Sequence, residues 1–321
     1  MARYSDTVCQ WPRVKFPDSC RDVEIVIGVD EAGRGPVLGS MVYGIAFWPV
    51  SKHEEICAIG FNDSKQLTEA TRDALFKKML AHPDIGWVVE ELTAEYLSRE
   101  MLRAQPTSLN SLSYDAVVRA LEVIRDGYVT KDTSPSCADK VPIIGDIFVD
   151  TVGDPDYYKS RLQRSLGQDY GRFTIEKKAD ATYKVVSGAS IVAKVTRDTL
   201  MKDWECRTRL PANQAPIGSD YGSGYPGDPA CVLWLQKYLD REKMFLYPSD
   251  IVRFSWGTVK EICKTQQCRE VMFACDDEDN EGAAANTVGL TSYFGKAGEK
   301  RPKRCGYFMK KKLKHVLPSE I

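Results

Sequence analysis

The sequence predicts a mixed α/β layer fold, a sheet flanked by helices, on two observations. Apolar, β-branched strands alternate along the chain with amphipathic helical stretches, and a tight glycine turn joins the first two strands into an antiparallel start of the sheet. Those strands are residues 24–30 and 40–48, rich in Val, Ile and aromatic side chains. Residues 67–82 carry Leu67, Ala70, Leu75, Met79 and Leu80 at helical spacing. Residues 108–127 do the same with Leu109, Leu112, Ala116, Val117, Ala120, Leu121 and Ile124, so both read as amphipathic helices. Between them, 87–92 is a strand, and 131–142 is a polar surface loop that a core does not need. Residues 144–150 form a further apolar strand ending in Asp150, and Asp154-Pro155 supplies the cap and first turn of the next helix. A short strand at 172–176 follows, and Lys177-Lys178-Ala179-Asp180 leads into one long helix through about Trp204. The chain changes character after Trp256: a helix through Phe273, an acidic run at 276–281, then basic runs at 300–304 and 310–312. The expected division is a main domain over 1–256 and, over 257–321, a helical extension with a flexible charged tail.

Composition narrows the function. The 321 residues are 43% hydrophobic and 28% charged with a formal net charge of −1, an ordinary globular balance without the global positive field that draws in nucleic acid. Any such binding must be local. Ten cysteines include no CxxC pair, the histidines are only His53, His82 and His315, and the first residues lack the apolar core of a secretory signal, so reduced thiols in a cytosolic or nuclear protein are expected. The longest apolar run, 41–50, suits a buried strand and is too short to span a bilayer.

The most informative segment is 25–39, IVIGVDEAGRGPVLG, in which a strand runs into Asp30 and Glu31 and then into the turn Gly33-Arg34-Gly35. Adjacent acids buried without partners cost several kcal/mol, so a strand ending in both calls for a cation, and hard oxygen ligands favour Mg²⁺ or Mn²⁺. The glycines let backbone N–H groups approach a ligand, and Arg34 adds a planar donor fork suited to phosphate; the ligand expected is a phosphodiester. An NTP-binding loop would need Lys and Ser or Thr where Arg34 and Gly35 stand, and a dinucleotide fingerprint would need glycine at Leu38. Asp150 and Asp180 stand out by context beside the first pair. Four carboxylates around two hard cations is a workable design for phosphodiester hydrolysis, but spacing alone does not bring these four together. Taken singly, Asp150 reads at least as well as a turn or helix-entry acid, and Asp180 reads better as one.

The motifs GVDEAGRGPVLG, DSK at 63–65, FVDTVG at 148–153, KADATY at 178–183 and DYGSGYP at 220–226 resemble, in order, those of the type 2 ribonuclease H family over residues 24–256. DTVGDP and the extended tail resemble most the catalytic chain of the eukaryotic enzymes. The resemblance implies a ribonuclease H-like fold and hydrolysis of RNA in RNA–DNA hybrids. It also implies incision 5′ to single ribonucleotides in duplex DNA, leaving 5′-phosphate and 3′-OH ends. It makes Asp30, Glu31, Asp150 and Asp180 the catalytic ligands of two Mg²⁺ ions, with Mn²⁺ a substitute, and Gly33, Arg34 and Gly35 the turn that senses the ribose 2′-OH. Tyr225 lays its ring against the next deoxyribose, and Lys65, Lys194 and Arg197 contact phosphates; Asn110 either faces the nucleic acid or caps a helix. The family further implies two accessory subunits in a heterotrimer. Leu290, Tyr293 and Phe294 form a degenerate sliding-clamp box that reads equally well as an aromatic anchor, and the basic run 300–304 reads as a nuclear-import signal, which gives a nuclear location, or as a nucleic-acid patch or solvating charge. Two other readings stand beside this one: a non-catalytic hybrid-binding or scaffold subunit, which the four acids oppose, and a two-metal nuclease or phosphatase for another substrate, which the glycine turn and Tyr225 oppose.

Overall fold

The computed structural model describes residues 7–8, 11–61, 68–103, 105–129, 133–151, 153–207, 220–242 and 250–265. A short hairpin pairs β1 (Thr7–Val8) with β2 (Trp11–Pro12). The main sheet has β3 (Val14–Lys15), β4 (Glu24–Ala32), β5 (Met41–Pro49), β6 (Gly86–Leu92), β7 (Ile143–Asp150) and β8 (Arg172–Glu176) in the order β3-β6-β5-β4-β7-β8. β4 is antiparallel to β5 and parallel to β7, and β7 is parallel to β8. The predicted mixed sheet is therefore present, with β4 central and Asp30 at a strand end inside the sheet.

Helices cover both faces. On one side Ile25, Ile27, Val29, Tyr43 and Phe47 pack with α4 (Leu109–Arg125) and α5 (Pro155–Leu166), through residues such as Val117, Leu121 and Tyr158. α3 (Ala94–Leu102) contributes Leu97 to the same cluster. On the other side Val26, Val42, Ala46 and Trp48 meet Phe76 and Met79 of α2 (Glu69–Ala81) and Val186, Ala189 and Ala193 of α7 (Lys184–Arg207). Ile56 of α1 (His53–Cys57) joins this second cluster. Burial on both faces explains why β5 reads as an unbroken apolar run rather than an alternation.

Close approach of α7 to the sheet depends on two glycines. A Cβ at Gly28 would lie 2.3 Å from the Val185 carbonyl, and one at Gly44 2.4 Å from the Ala189 oxygen. No side-chain rotation relieves a clash with backbone, so Gly28→Ala is expected to destabilise the protein by about 3 kcal/mol, read as a lower denaturant midpoint with unchanged slope.

Three sequence expectations are corrected. The helix expected from Asp180 to Trp204 is two helices, α6 (Ala179–Thr182) and α7, parted at Tyr183, which is extended (φ −106°, ψ 118°) and stacks its ring on Phe148 at 4.1 Å. The cap of α4 is Ser108, whose side chain accepts from the Ser111 amide at 3.1 Å, which leaves the Asn110 side chain out of the cap. The loop before β7 is more than surface: buried Arg21 donates to the Lys140 carbonyl at 3.0 Å and to those of Gly127 and Tyr128. α3 and α8 (Pro229–Glu242) were not anticipated; the helix after Trp256 is present as α9 (Gly257–Thr265), and residues beyond 265 are not described. Among the described residues no helix is long and apolar enough to cross a membrane.

Candidate active site

Parallel pairing brings two of the acids together. Val29 of β4 pairs with Val149 of β7, so the next residues, Asp150 at the end of β7 and Asp30 two residues before the end of β4, lie on neighbouring strands at the same end of the sheet. Asp30 is 5% exposed, and its carboxylate accepts from the Glu31 amide at 2.7 Å. Burial pushes its carboxyl up to about 7; Asp150 adds to this rise, while the Ser190 hydroxyl and Lys194 oppose it. Asp150 accepts from the Ala179 amide at 3.1 Å, which fixes the start of α6 and with it Asp180, 1% exposed. The Ser187 hydroxyl donates to the Asp180 carbonyl at 2.6 Å and ties α6 to α7.

A cleft of about 490 Å³ opens at these strand ends, lined by Asp30, Glu31, Asp150, the turn Gly33-Arg34-Gly35, Lys194, Arg197 and Tyr225. Lys194 and Arg197 stand one turn apart on α7, as their spacing predicted. Asp180 lies beside the cleft through α6 and is not part of its lining. Asn110 reaches the site by accepting a short hydrogen bond from Arg34, whose other Nη donates to Ser113 Oγ at 3.0 Å. Lys65, Leu290, Tyr293, Phe294 and the basic run 300–304 lie outside the described residues.

The turn is held from behind by residues that sequence reasoning missed. Gly33 has φ +80°, and a Cβ there would sit 2.4 Å from Arg197 Nε. Arg253, fully buried, donates to the carbonyls of Gly33 (2.6 Å), Gly39 (2.7 Å) and Arg34 (3.3 Å), and the Trp256 indole donates to that of Gly35 at 3.0 Å. Arg253 also lies 4.8 Å over the Trp256 ring; burial, with the charge of Arg197, lowers its guanidinium to about 9. The Gly224 carbonyl accepts from Val37 and Leu38, and Leu38, Trp204, Trp234, Val252 and Ile262 form a third apolar cluster around this junction. Tyr225 is thereby set against the turn: a Cβ on Gly35 would be 3.2 Å from its ring, and the residue stays 47% exposed.

The donor chemistry fits hard divalent cations. Carboxylate oxygens are the ligands Mg²⁺ and Mn²⁺ prefer, and a pair of acids whose buried member is raised by burial, and further by its neighbour's charge, is stabilised by a cation. Among the described residues no cluster of three acid, imidazole or thiol side chains stands ready to hold a metal. His53 bonds Trp48, and neither it nor His82 lines the cleft.

The chain has the ribonuclease H-like fold: the crystal structure of ribonuclease H2 from Pyrococcus horikoshii OT3 aligns with a TM-score of 0.60 and 32% identity, covering 76% of this chain and 100% of that one. Among eukaryotic relatives, a ribonuclease H2 subunit of Homo sapiens is 37% identical over 302 residues, 92% of this chain and 91% of that one. Its Arabidopsis thaliana counterpart is 35% identical over 304 residues, 91% and 94% of the two chains. The ribonuclease HII family model matches residues 27–259, and the chain belongs to that family, the type 2 ribonucleases H.

Proposed function

We propose that this chain hydrolyses the RNA strand of RNA–DNA hybrids and cuts duplex DNA 5′ to single embedded ribonucleotides, leaving 5′-phosphate and 3′-OH ends. The observation that carries this reading is one cleft holding both the strand-end acids Asp30 and Asp150 and the left-handed turn at Gly33. A phosphodiester reaching the acids then lies beside backbone groups able to test for a 2′-hydroxyl. Asp30, Glu31, Asp150 and Asp180 would hold two Mg²⁺ ions, or Mn²⁺ in their place. Bound there, the ions supply water activation and stabilisation of the leaving oxygen. The chain's own groups do the rest. Arg34, fixed by Asn110 and Ser113, and Lys194 with Arg197 hold phosphates. Lys65 adds a further phosphate contact. Tyr225 offers its exposed ring to the sugar after the ribonucleotide, where an added hydroxyl would be unwelcome.

The same reading gives the chain two accessory subunits, a sliding-clamp contact through Leu290, Tyr293 and Phe294, and a nuclear location directed by the basic run 300–304. The test is incubation of the purified chain, alone and with accessory chains, with Mg²⁺ and a duplex containing one ribonucleotide, mapping the product ends. Metal-dependent cleavage on the 5′ side, lost in Asp150→Asn, is expected. Absence of cleavage of this duplex and of a long hybrid in every combination would favour a non-catalytic, hybrid-binding role instead.

A further inference from the structure

The cleft contains one acid that the strand-end chemistry does not use. Asp198, next to Arg197 on α7, places its carboxylate between two guanidinium groups, 3.3 Å from Arg72 Nη2 on α2 and 3.8 Å from Arg197 Nη1. All three residues line the same cleft as Asp30, Asp150 and the glycine turn. The Arg72 and Arg197 side chains are only 18% and 12% exposed, so both cations are largely desolvated. Nε and Nη2 of Arg197 are buried with no hydrogen-bond acceptor among the described residues. The arrangement sets two guanidinium groups bridged by one carboxylate in the wall of a cleft that opens to solvent.

Resting on the reading of the cleft as a nucleic-acid site, we propose that Arg72 is a further phosphate-contacting residue. Asp198 aligns Arg72 and Arg197 as a paired fork for one backbone phosphate of the bound strand. Planar guanidinium groups suit phosphate oxygens, and two of them held side by side by one carboxylate match a single phosphate reaching this wall of the cleft. The competing account is that Arg72–Asp198 only pins α2 to α7. The same two helices carry Lys202 and Glu69, a pair joined in the same way but more than half exposed and outside the cleft lining, which provides a control.

Binding of a fluorescent RNA–DNA hybrid to the full chain, in chelator and across a salt series, separates the two accounts. Arg72→Gln is expected to weaken binding roughly three- to tenfold and to flatten the log–log salt slope by about one. Arg72→Lys should restore the slope, Asp198→Asn should tighten binding and steepen it, and Lys202→Gln should leave it unchanged. A wild-type slope in folded Arg72→Gln, or Arg72→Gln and Asp198→Asn moving binding in the same direction, overturns the proposal. If thermal melting shows Arg72→Gln to be unfolded, Asp198→Asn against Arg72→Lys decides by the sign of the change. Failure of the wild-type chain to bind any hybrid overturns the nucleic-acid reading itself, and this inference with it; normal wild-type binding with unmoved variant slopes overturns this inference alone.

Discussion

Replacing Arg253 with Met is expected to lower stability by about 2–4 kcal/mol and, under the proposed function, to remove most of the preference for a ribonucleotide at the scissile position. The buried guanidinium satisfies three carbonyls of the 33–39 segment, and Met keeps the bulk while leaving them without that donor. Each buried carbonyl left unmade costs about 1–3 kcal/mol, partly offset because a desolvated charge no longer has to be buried. The consequence for function is geometric. Gly33 holds its left-handed conformation against Arg197 on one side and Arg253 on the other, and a turn freed to relax points its backbone groups elsewhere. Arg253→Lys keeps the charge but lacks the planar fork, so it should recover part of the stability and little of the selectivity. The measurements are a denaturant midpoint and the ratio of kcat/KM on a one-ribonucleotide duplex to that on a long hybrid. A Met variant with the wild-type ratio would mean that the turn keeps its shape unaided.

The sequence made legible whatever is decided within a few residues. β4 and β5, the period of α4, and the Asp154 cap accepting from Tyr157 at 2.8 Å all follow from local pattern. Two missed helices had similar cues: Thr93 caps α3 by accepting from Tyr96, and Asp228-Pro229 repeats the Asp-Pro signature ahead of α8, its carboxylate accepting from Ala230 at 2.9 Å. What local pattern could not supply was convergence. Asp30 and Asp150 come together because β7 pairs parallel to β4 in one particular register, and Tyr183, where the helix breaks, stacks on a ring from a different strand. Arg253 and Trp256 were invisible for the same reason: their partners are backbone carbonyls more than 200 positions earlier, and a carbonyl leaves no mark in a sequence. The family resemblance grouped the four acids where spacing could not, and offered no account of what holds the glycine turn.

Asp30→Asn should separate stability from activity. Asn has nearly the same shape and can still accept from the Glu31 amide and the Ser190 hydroxyl, so the strand end keeps its geometry. What disappears is a buried negative charge facing Asp150. Because the folded carboxyl titrates above its unfolded value, the native state binds more protons in the interval between, and wild-type stability falls as pH rises from the ordinary carboxylate range to about 7. In chelator at neutral pH the Asn variant is therefore expected to be more stable by about 1–3 kcal/mol, with a flatter stability profile across that window. Turnover in Mg²⁺ should drop about 10³-fold or more, since the lost charge is one that would hold cations worth several kcal/mol to the transition state. Added Mg²⁺ should raise the melting temperature of the wild type more than that of the variant, a readout independent of cleavage. Equal Mg²⁺ stabilisation of both proteins, or near-normal cleavage by the variant, would remove Asp30 from the metal-holding set and leave its burial at the floor of the cleft as a structural feature only.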